Sequence, residues 1–354
     1  MEKVLMKGNE ALAEAAIMAG CRHFFGYPIT PQTEVAAYMS KRMPEVNGLY
    51  LQAESEIASI NMVLGAASAG VRVMTSSSSP GISLMGEGIS YMAGCDLPAV
   101  IVNIQRGGPG LGGIQPAQSD YFQATRACGH GDFHLMVLAP NSIQEIVDLT
   151  QRAFNLADIY RTPVMILGDG ILGQMMEPVT LERIPEAELP EKSWATTGTS
   201  GKRRKNITTS LWLQPDKLEK SNFARFERYA LIQQKEPLWE EYLTEDADIV
   251  LVAYGAVSRI CKNAIIAARE KGVKAGLLRP ITLWPFPSRP LLELVDRVKT
   301  FICAEMSMGQ MIEDVRAAIA YRKPVTLCGH TGGVVHTPEE ILAQIEAANG
   351  GTQP

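Results

Sequence analysis

Gly-Tyr-Pro-Ile-Thr-Pro, residues 26–31, predicts the end of a strand and the start of a helix. Because a proline disfavours the α conformation for the residue before it, the chain from Tyr27 to Thr30 should run extended. Thr30 then takes the N-cap position, and Pro31 takes the first helical position. Since a helix N-terminus presents free N–H groups and a partial positive charge, we expect the Thr30 hydroxyl to lie where a carboxylate or phosphate binds. The alternative is an ordinary Thr-Pro helix start.

Glu56 begins the next helical pattern and falls on its apolar face. At about 100° per residue, this face also carries Ile60, Val63 and Ala67, whereas Glu54 points to the opposite side. A carboxylate among apolar side chains costs several kcal/mol unless a partner binds it, and enzymes place proton donors and acceptors in such surroundings. We therefore predict that Glu56 is a functional carboxylate. The alternative is a half-solvated glutamate near the helix dipole.

The composition bounds the class of protein. The chain has 354 residues, of which 46% are apolar, so we expect about two domains with substantial cores. The net charge is −5, and the basic run 202–205 lies in a polar stretch, so we expect a solvated loop and no nucleic-acid partner. No run of about 18 apolar residues occurs, and Glu2, Glu10 and Glu14 do not suit a signal peptide. We therefore expect a soluble, cytoplasmic protein without a membrane partner.

The six cysteines are scattered along the chain, at positions 21, 95, 128, 261, 303 and 328. Zinc and iron–sulfur sites use closely spaced cysteines, which this sequence lacks. We therefore predict that most of these thiols are small buried hydrophobes and that the chain itself holds no metal.

Helix-like and strand-like segments alternate in two parts of the chain. In residues 1–180, strands are predicted at 71–75, 98–104, 134–139 and 163–168, and helices near 54–69, 81–94 and 142–158. This order predicts an α/β domain with a mostly parallel sheet. Residues 181–246 break the pattern and are interpreted as a linker, and residues 247–354 predict a smaller α/β domain. Capping boxes at 142–145 and 337–340 mark two helix starts.

A glycine-rich loop follows the strand at 98–104. Gly108, Gly110 and Gly113 match the spacing of a dinucleotide-binding fingerprint, but that motif needs a helix directly after the glycines, and Pro116 stands there instead. We interpret the match as coincidental, and a nicotinamide-dependent dehydrogenase remains an alternative. Arg106 stands at the carboxyl end of the strand, where α/β sheets bind ligands, and its guanidinium suits a carboxylate. The alternative is an exposed arginine in a mobile loop.

Two further motifs bear on cofactor binding. Gly-Asp-Gly at 168–170 matches the start of a thiamine diphosphate and magnesium motif, but the asparagine expected about 25 to 30 residues later is absent. This chain should therefore not hold the diphosphate and Mg²⁺ itself. Thr-Ser-Ser-Ser-Ser-Pro-Gly at 75–81 leads from a strand into a helix. It suits either a polar ligand wall or a hydroxyl-rich N-cap, and the N-cap is the commoner case.

Five ordered motifs together resemble one enzyme family. They are Gly-Tyr-Pro-Ile-Thr-Pro, Glu-Ser-Glu-Ile-Ala-Ser, Thr-Ser-Ser-Ser-Ser-Pro-Gly, Gln-Arg-Gly-Gly-Pro-Gly and Leu-Arg-Pro-Ile-Thr-Leu-Trp-Pro-Phe-Pro. Nearly the whole chain resembles the α subunit of a 2-oxoacid:ferredoxin oxidoreductase, in its branched-chain form acting on 3-methyl-2-oxobutanoate. The resemblance implies a thiamine-diphosphate-binding fold with a pyrimidine-binding first domain and a second domain similar to the transketolase C-terminal domain.

The resemblance also implies roles for particular residues. Glu56 would hydrogen-bond the aminopyrimidine nitrogen of thiamine diphosphate, and Thr30 and Arg106 would hold the carboxylate of the 2-oxoacid. The residues that would line the cofactor, besides Glu56, are Tyr27, Pro28, Ser77 and Ser78. A β subunit would supply the diphosphate and Mg²⁺ half-site, while the 4Fe-4S clusters would lie in that subunit and a ferredoxin-like δ subunit. A γ subunit, ferredoxin and coenzyme A complete the implied partners.

Departures from the family pattern leave alternatives open. Gly-Leu-Gly-Gly-Ile-Gln-Pro at 110–116 replaces the usual Ser-Thr-Gly-Leu-Pro in the substrate loop, so a 2-oxoglutarate enzyme remains an alternative. Ser307 stands where asparagine is usual in the family's Glu-Met-Asn, although the Gln-Ser-Asp at 118–120 returns to the pattern. A non-catalytic structural subunit is a further alternative.

Overall fold

The fold was determined from a computed structural model that describes residues 3–126, 129–185 and 187–350. Cys128, one of the thiols predicted to be buried, lies outside these residues. The strands are β1 (Val4–Lys7), β2 (His23–Gly26), β3 (Leu49–Gln52), β4 (Val73–Ser77), β5 (Ala99–Gln105), β6 (Met136–Leu138), β7 (Pro163–Asp169), β8 (Met176–Val179), β9 (Trp239–Tyr242), β10 (Ile249–Val252), β11 (Ala275–Pro280), β12 (Thr282–Trp284), β13 (Thr300–Glu305) and β14 (Val325–Gly329). The helices are α1 (Gly8–Met18), α2 (Thr33–Glu45), α3 (Glu56–Ser68), α4 (Pro80–Gly94), α5 (Tyr121–Thr125), α6 (Ile143–Tyr160), α7 (Gly170–Gln174), α8 (Pro215–Lys235), α9 (Gly255–Glu270), α10 (Ser288–Leu294), α11 (Met311–Ala318) and α12 (Pro338–Gly350).

A seven-stranded sheet forms the larger part of the fold, in the order β12-β6-β7-β5-β4-β2-β3. Every pairing in it is parallel except that of β12 with β6. The central strand β5 is buried at all seven positions because helices cover the sheet, with α1 packed on α6 and α3 on α4. The strands and helices predicted for residues 71–168 are confirmed, with ends that differ by a few residues.

The second sheet has five strands in the order β14-β13-β10-β11-β9. Its core strands β10, β11, β13 and β14 are parallel, and β9 adds an antiparallel edge. Helices α9 and α12 pack together against this sheet. The predicted capping box starts α12, since Thr337 Oγ1 accepts from Glu340 N at 3.3 Å and Glu340 Oε2 accepts from Thr337 N at 2.8 Å.

Residues 181–246 contain more structure than a linker. Helix α8 lies against the last turn of α4, where the buried Arg225 donates to the carbonyls of Ala93 and Gly94 at 3.1 Å each. Strand β9 joins the second sheet, and β12 crosses from the second half of the chain into the first sheet. There the Trp284 ring stacks on the His134 ring, with 4.6 Å between the ring centroids. Two strands therefore connect the two α/β layers: β9, from the predicted linker, and β12, from the predicted second domain.

The described cysteines are mostly buried, as predicted: Cys21, Cys261, Cys303 and Cys328 are buried and Cys95 is half-buried. Burial raises the pKa of the Cys21 thiol to about 12 and that of Cys328 to about 11. The basic run 202–205 lies exposed in a loop, as predicted. Among the described helices, none combines the length and the apolar character needed to cross a membrane.

Candidate active site

The carboxyl ends of β2, β4 and β5 bring three separate sequence motifs to one edge of the large sheet. Tyr27 follows β2, Ser78 follows β4 and Arg106 follows β5. Because neighbouring parallel strands end at the same edge, these motifs meet although they are up to about 80 residues apart. This edge is the candidate active site.

Glu56 is the first residue of α3 and is buried, with 6% of its surface exposed. Ser55 caps the helix by accepting from Ala58 N at 3.2 Å, which fixes the rotation that turns Glu56 inward. Ile60 is buried on the same face, and Glu54 is exposed, as the helical period predicts. The prediction that Glu56 is a buried carboxylate is confirmed.

Glu56 meets the serine run at Gly81, in the first turn of α4. A Cβ atom on Gly81 would lie 2.0 Å from Ser77 Oγ and 2.6 Å from Glu56 Oε1. Only a glycine therefore lets the Ser77 hydroxyl and the Glu56 carboxylate take these positions. Sequence reasoning missed a role for Gly81, although its place two residues after a serine run, at the start of a helix, was a usable signal.

The serine run presents hydroxyl groups that lack partners. Within the described residues, the buried hydroxyls of Thr75, Ser77 and Ser78 have no hydrogen-bond partner. Ser79 occupies the N-cap position of α4, but its side chain does not cap the helix. Of the two interpretations of this run, the polar ligand wall is thus favoured over the N-cap. Orphaned hydroxyls beside a buried carboxylate fit a ligand that both donates and accepts hydrogen bonds, as an aminopyrimidine does.

Thr30 does not act as an N-cap, contrary to the prediction. Gln32 N donates to Ile29 O at 3.0 Å, so residues 29–32 form a turn and α2 begins only at Thr33. The Gln32 side chain instead ties this turn to the sheet, because it donates to Tyr27 O at 3.1 Å and accepts from Ser76 Oγ at 2.6 Å. Thr30 itself is exposed at the site edge, Tyr27 is 37% exposed, and the proline between Tyr27 and Ile29, Pro28, is half-buried.

Arg106 is buried rather than mobile. Its NH1 donates to Thr30 O at 2.9 Å and its NH2 donates to Leu111 O at 3.0 Å, while 6% of its surface is exposed. Among the described residues, its Nε–H has no acceptor. The structure thus brings Arg106 and Thr30 together, and it leaves the guanidinium with a free donor for an anion.

The glycine-rich loop does not form a dinucleotide site. Gly113 N donates to Gly107 O at 2.8 Å and Gly107 N donates to Gln115 O at 2.9 Å, so the loop folds back on itself. The next helix, α5, begins only at Tyr121. Since the fingerprint requires a helix directly after the glycines, the interpretation of the spacing as coincidental is supported. The loop instead supplies the Leu111 carbonyl that holds Arg106.

Asp169, of the Gly-Asp-Gly motif, is committed to a helix start. Its Oδ1 accepts from Ile171 N at 2.9 Å and from Leu172 N at 3.1 Å, which caps α7. Complete burial raises the pKa of this carboxyl to about 6. Its role in the described structure is therefore that of a cap between the two sheets.

A partly buried polar network beside Arg106 was also missed. Asp120 Oδ2 accepts from Ser79 Oγ at 2.6 Å and from Asn103 Nδ2 at 3.0 Å, and burial raises the pKa of the Asp120 carboxyl. Ser79 and Asp120 line a cavity of about 660 Å³ between the glycine loop and the second domain, which is lined also by Gln123 and Gln310. The signal in the sequence was the Gln-Ser-Asp that follows the loop.

The departure at Ser307 lies in the second domain. Its Oγ donates to Glu305 Oε2 at 2.7 Å and accepts from Gly309 N at 3.1 Å. The Glu305 carboxylate in turn accepts from the backbone N–H groups of Gln310, Met311 and Ile312. Ser307 therefore orients the carboxylate that holds the start of α11.

Comparisons with known proteins cover both parts of the chain. The family described as "Pyruvate flavodoxin/ferredoxin oxidoreductase, thiamine diP-bdg" matches residues 14–224, and "Pyruvate:ferredoxin oxidoreductase core domain II" matches residues 247–341. The chain is similar to the ketoisovalerate oxidoreductase subunit VorB of Methanothermobacter marburgensis, with 51% identity over 99% of both chains. It is also similar to the 2-oxoglutarate synthase subunit KorA of Methanothermobacter thermautotrophicus, with 40% identity over 98% of this chain and 99% of that one.

A solved structure is similar in fold. The 2-oxoglutarate:ferredoxin oxidoreductase from Magnetococcus marinus is 29% identical, with a TM-score of 0.88 over 98% of this chain. The present chain spans 65% of the length of that solved chain. The predicted fold class, a thiamine-diphosphate-binding α/β domain with a smaller transketolase C-terminal-like domain, is confirmed.

Proposed function

The chain belongs to the pyruvate flavodoxin/ferredoxin oxidoreductase family, as its sequence motifs predicted, and we propose that it is the α subunit of a 2-oxoacid:ferredoxin oxidoreductase acting on 3-methyl-2-oxobutanoate. The reaction would convert the acid and coenzyme A to the acyl-CoA and CO₂, and its two electrons would reduce ferredoxin. The 51% identity with a ketoisovalerate oxidoreductase subunit over nearly the whole chain supports this substrate.

The observation that carries the proposal is the meeting of Glu56 and Ser77 at Gly81, on the sheet edge that also holds Arg106. A buried carboxylate, orphaned hydroxyls and a guanidinium with a free donor are what a cofactor ring and an anionic substrate need. When bound, thiamine diphosphate supplies a carbon nucleophile and an electron sink for decarboxylation. The residues of this chain bind and orient the two reactants.

Glu56 would hold the pyrimidine ring, since a buried carboxylate accepts a hydrogen bond strongly in surroundings without competing water. Ser77 and Ser78 would offer their free hydroxyls to the same ring, with Tyr27 and Pro28 lining it. This assignment uses the polar groups that the fold leaves without partners.

Arg106 and Thr30 would hold the carboxylate of the 2-oxoacid. The carbonyls of Thr30 and Leu111 fix the guanidinium plane, so its remaining donors point in a set direction before the substrate arrives. A positively charged, pre-oriented group at this edge would place the 2-oxo group for attack. The exposed Thr30 hydroxyl would add a second contact.

The preferred acid is proposed from the charge of the loop beside Arg106. Residues 107–119 contain no lysine, arginine or histidine. The second carboxylate of 2-oxoglutarate would find no cation on this loop, whereas a branched apolar chain needs none. The 2-oxoglutarate alternative keeps the support of the 40% identical KorA and of the solved enzyme.

Partner subunits would complete the enzyme. The Asp169 carboxylate of the Gly-Asp-Gly motif accepts hydrogen bonds from the first turn of α7, so in this chain it serves as a helix cap. A β subunit would therefore hold the diphosphate and Mg²⁺, and 4Fe-4S clusters in partner subunits, including a ferredoxin-like δ subunit, would carry single electrons to ferredoxin. A γ subunit would belong to the same complex, which we place in the cytoplasm.

The test is coenzyme A-dependent viologen reduction by the co-purified complex with 3-methyl-2-oxobutanoate, 2-oxoglutarate and pyruvate. We expect preference for the branched acid, loss of activity in Glu56→Gln, and wild-type activity in the control Glu54→Gln, whose side chain is exposed on the opposite face. Full activity of Glu56→Gln would instead support a non-catalytic subunit. Preference for 2-oxoglutarate would instead support the alternative, a 2-oxoglutarate:ferredoxin oxidoreductase.

A further inference from the structure

We propose that Asp120 is a positioning residue for Arg106 and acts on it through the hydroxyl of Ser79. This inference rests on the proposed role of Arg106 in holding the 2-oxoacid carboxylate. Asp120 lies 14 residues further along the chain, beyond the glycine-rich loop. The connection between the two residues exists only in the folded structure.

A chain of hydrogen bonds joins the two residues. The Ser79 hydroxyl donates to Asp120 Oδ2 at 2.6 Å, and the same oxygen of Ser79 accepts from Arg106 N at 3.0 Å. A hydroxyl has one hydrogen, so the bond to Asp120 leaves only lone pairs to face the Arg106 N–H. Asp120 thus selects the rotamer in which Ser79 accepts from the last residue before the loop.

The alternative for Ser79 is close by. Its oxygen lies 3.4 Å from the carbonyl oxygen of Arg106. Without the Asp120 carboxylate, the Ser79 side chain is free to turn so that its hydroxyl donates to that carbonyl at a shorter distance. This rotation moves the Ser79 oxygen away from the position in which it accepts from the Arg106 N–H. Because the guanidinium is attached to this backbone, a shift of the Arg106 backbone changes the direction in which the guanidinium points toward the substrate.

Asp120 is itself held from three sides. Its Oδ2 accepts from Asn103 Nδ2 at 3.0 Å, and its backbone N–H donates to Gln105 Oε1 at 3.1 Å. Asn103 Oδ1 accepts from Ser79 N at 3.0 Å, which closes a ring of hydrogen bonds around Ser79. Ser79 has φ of 30°, a conformation that is uncommon for serine and that this ring maintains. Because Ser79 and Asn103 are buried and each bond of the ring has both partners in place, the ring fixes these side chains in one arrangement. A change at Asp120 therefore changes the position of the Ser79 hydroxyl.

The test uses the intact complex with Asp120→Ala, Ser79→Ala, the double variant and the conservative Asp120→Asn. We expect the KM for 3-methyl-2-oxobutanoate to rise about tenfold in either alanine variant, as loss of one hydrogen bond to a charged group gives, while kcat and the KM for coenzyme A change less than about threefold. The double variant should be no worse than the single variants. Asp120→Asn keeps an oxygen acceptor for Ser79 and should restore most of the affinity.

A second readout does not depend on turnover. The Kd of 3-methylbutanoate, a carboxylate without the reactive 2-oxo group, is measured by titration calorimetry on the same complexes and should rise by a similar factor. Ser83→Ala is the matched control, because Ser83 lies one turn along α4 on the same cavity. Its hydroxyl contacts only the Ser79 carbonyl, at 3.4 Å, and the Gln123 amide, and it makes no bond to Asp120, Asn103 or Arg106. The Kd of the Ser83→Ala complex should equal that of the wild type.

The inference is overturned if Asp120→Ala and Ser79→Ala leave the Kd unchanged, or if their effects add in the double variant. Equal rises in the KM for the acid and for coenzyme A would also overturn it, because they indicate general loosening. If Asp120→Ala does not assemble, Ser79→Ala and Asp120→Asn decide. Failure of the proposed function is seen separately, as a wild-type complex inactive with every 2-oxoacid or as an Arg106→Ala variant with unchanged Kd.

Discussion

Gly81→Ala should disable the site while leaving the fold in place. The added Cβ would lie 2.6 Å from Glu56 Oε1 and 2.0 Å from Ser77 Oγ, well inside van der Waals contact. To reach an ordinary contact of about 3.4 Å, the carboxylate oxygen must move by roughly 0.8 Å and the hydroxyl must rotate away. Both atoms are ends of side chains that can turn, so the loss of stability should stay within about 1–3 kcal/mol.

Function should suffer more than stability. A misplacement of about 1 Å at a reacting centre can cost on the order of 100-fold in rate, so we expect kcat to fall by about that factor. The assay is viologen reduction by the complex, accompanied by fluorescence titration with thiamine diphosphate, whose Kd should rise. Thermal denaturation of the same samples reports the fold.

Two glycines provide matched controls. Gly65→Ala in α3 places its Cβ in open space and should stabilise the helix by about 0.5–1 kcal/mol with unchanged activity. Gly88→Ala in α4 places its Cβ 2.5 Å from Ile60 Cγ2 and should destabilise the α3–α4 contact. If Gly88→Ala lowers kcat as much as Gly81→Ala does, or if Gly81→Ala stays within twofold of wild type, the reasoning about Glu56 is refuted.

Three further predictions test other parts of the structure. Arg106→Lys keeps the charge but replaces the planar guanidinium by a single nitrogen, which cannot reach the carbonyls of Thr30 and Leu111 and also present a donor to the substrate in the same geometry. The KM for the 2-oxoacid should therefore rise at least about tenfold, and an unchanged KM would contradict the role of the guanidinium in binding the substrate carboxylate. Burial raises the pKa of Asp169 from 3.8 to about 6, so its contribution to stability is complete below pH 3.8 and is lost as the pH rises to about 6. As the pH rises from 4 to 7, the free energy of unfolding of the wild type should therefore fall, relative to that of Asp169→Asn, by on the order of 3 kcal/mol. Measuring the Tm of both proteins across this range checks it, and a Tm difference that does not change with pH would refute the raised pKa. Arg279→Ala removes a buried guanidinium that binds Glu145 and Glu240, and should cost about 3 kcal/mol by thermal denaturation, whereas a change below about 1 kcal/mol would show that the pairs add little.

Local patterns predicted much of the site. The helical period alone placed Glu56 on the buried face and Glu54 on the exposed one, because a rotation of about 100° per residue leaves no other choice once the helix forms. The position of Arg106 at the end of a buried strand followed from the run of β-branched residues before it. The absence of a helix after the glycines was likewise visible in Pro116.

The prediction that Thr30 is an N-cap was wrong because the same short sequence is compatible with two local structures. A Thr-Pro pair suits an N-cap, but it also suits a turn, and the turn at 29–32 is held by Gln32, whose side chain bonds to Ser76 in another strand. That bond spans 44 residues and leaves no local trace. The contact of Thr30 with Arg106 runs through its backbone carbonyl, which any residue could supply.

The sequence by itself determined the family, the fold class, the burial of Glu56 and the sheet edge at which the site lies, because period, strand order and motif wording are local properties of the chain. Only the tertiary structure decided that β12 joins the first sheet, that Gly81 gives Glu56 and Ser77 their room, and that Asp120 reaches Arg106 through Ser79. These contacts join residues distant in sequence, and their energy depends on distances of a few tenths of an ångström that no local pattern encodes.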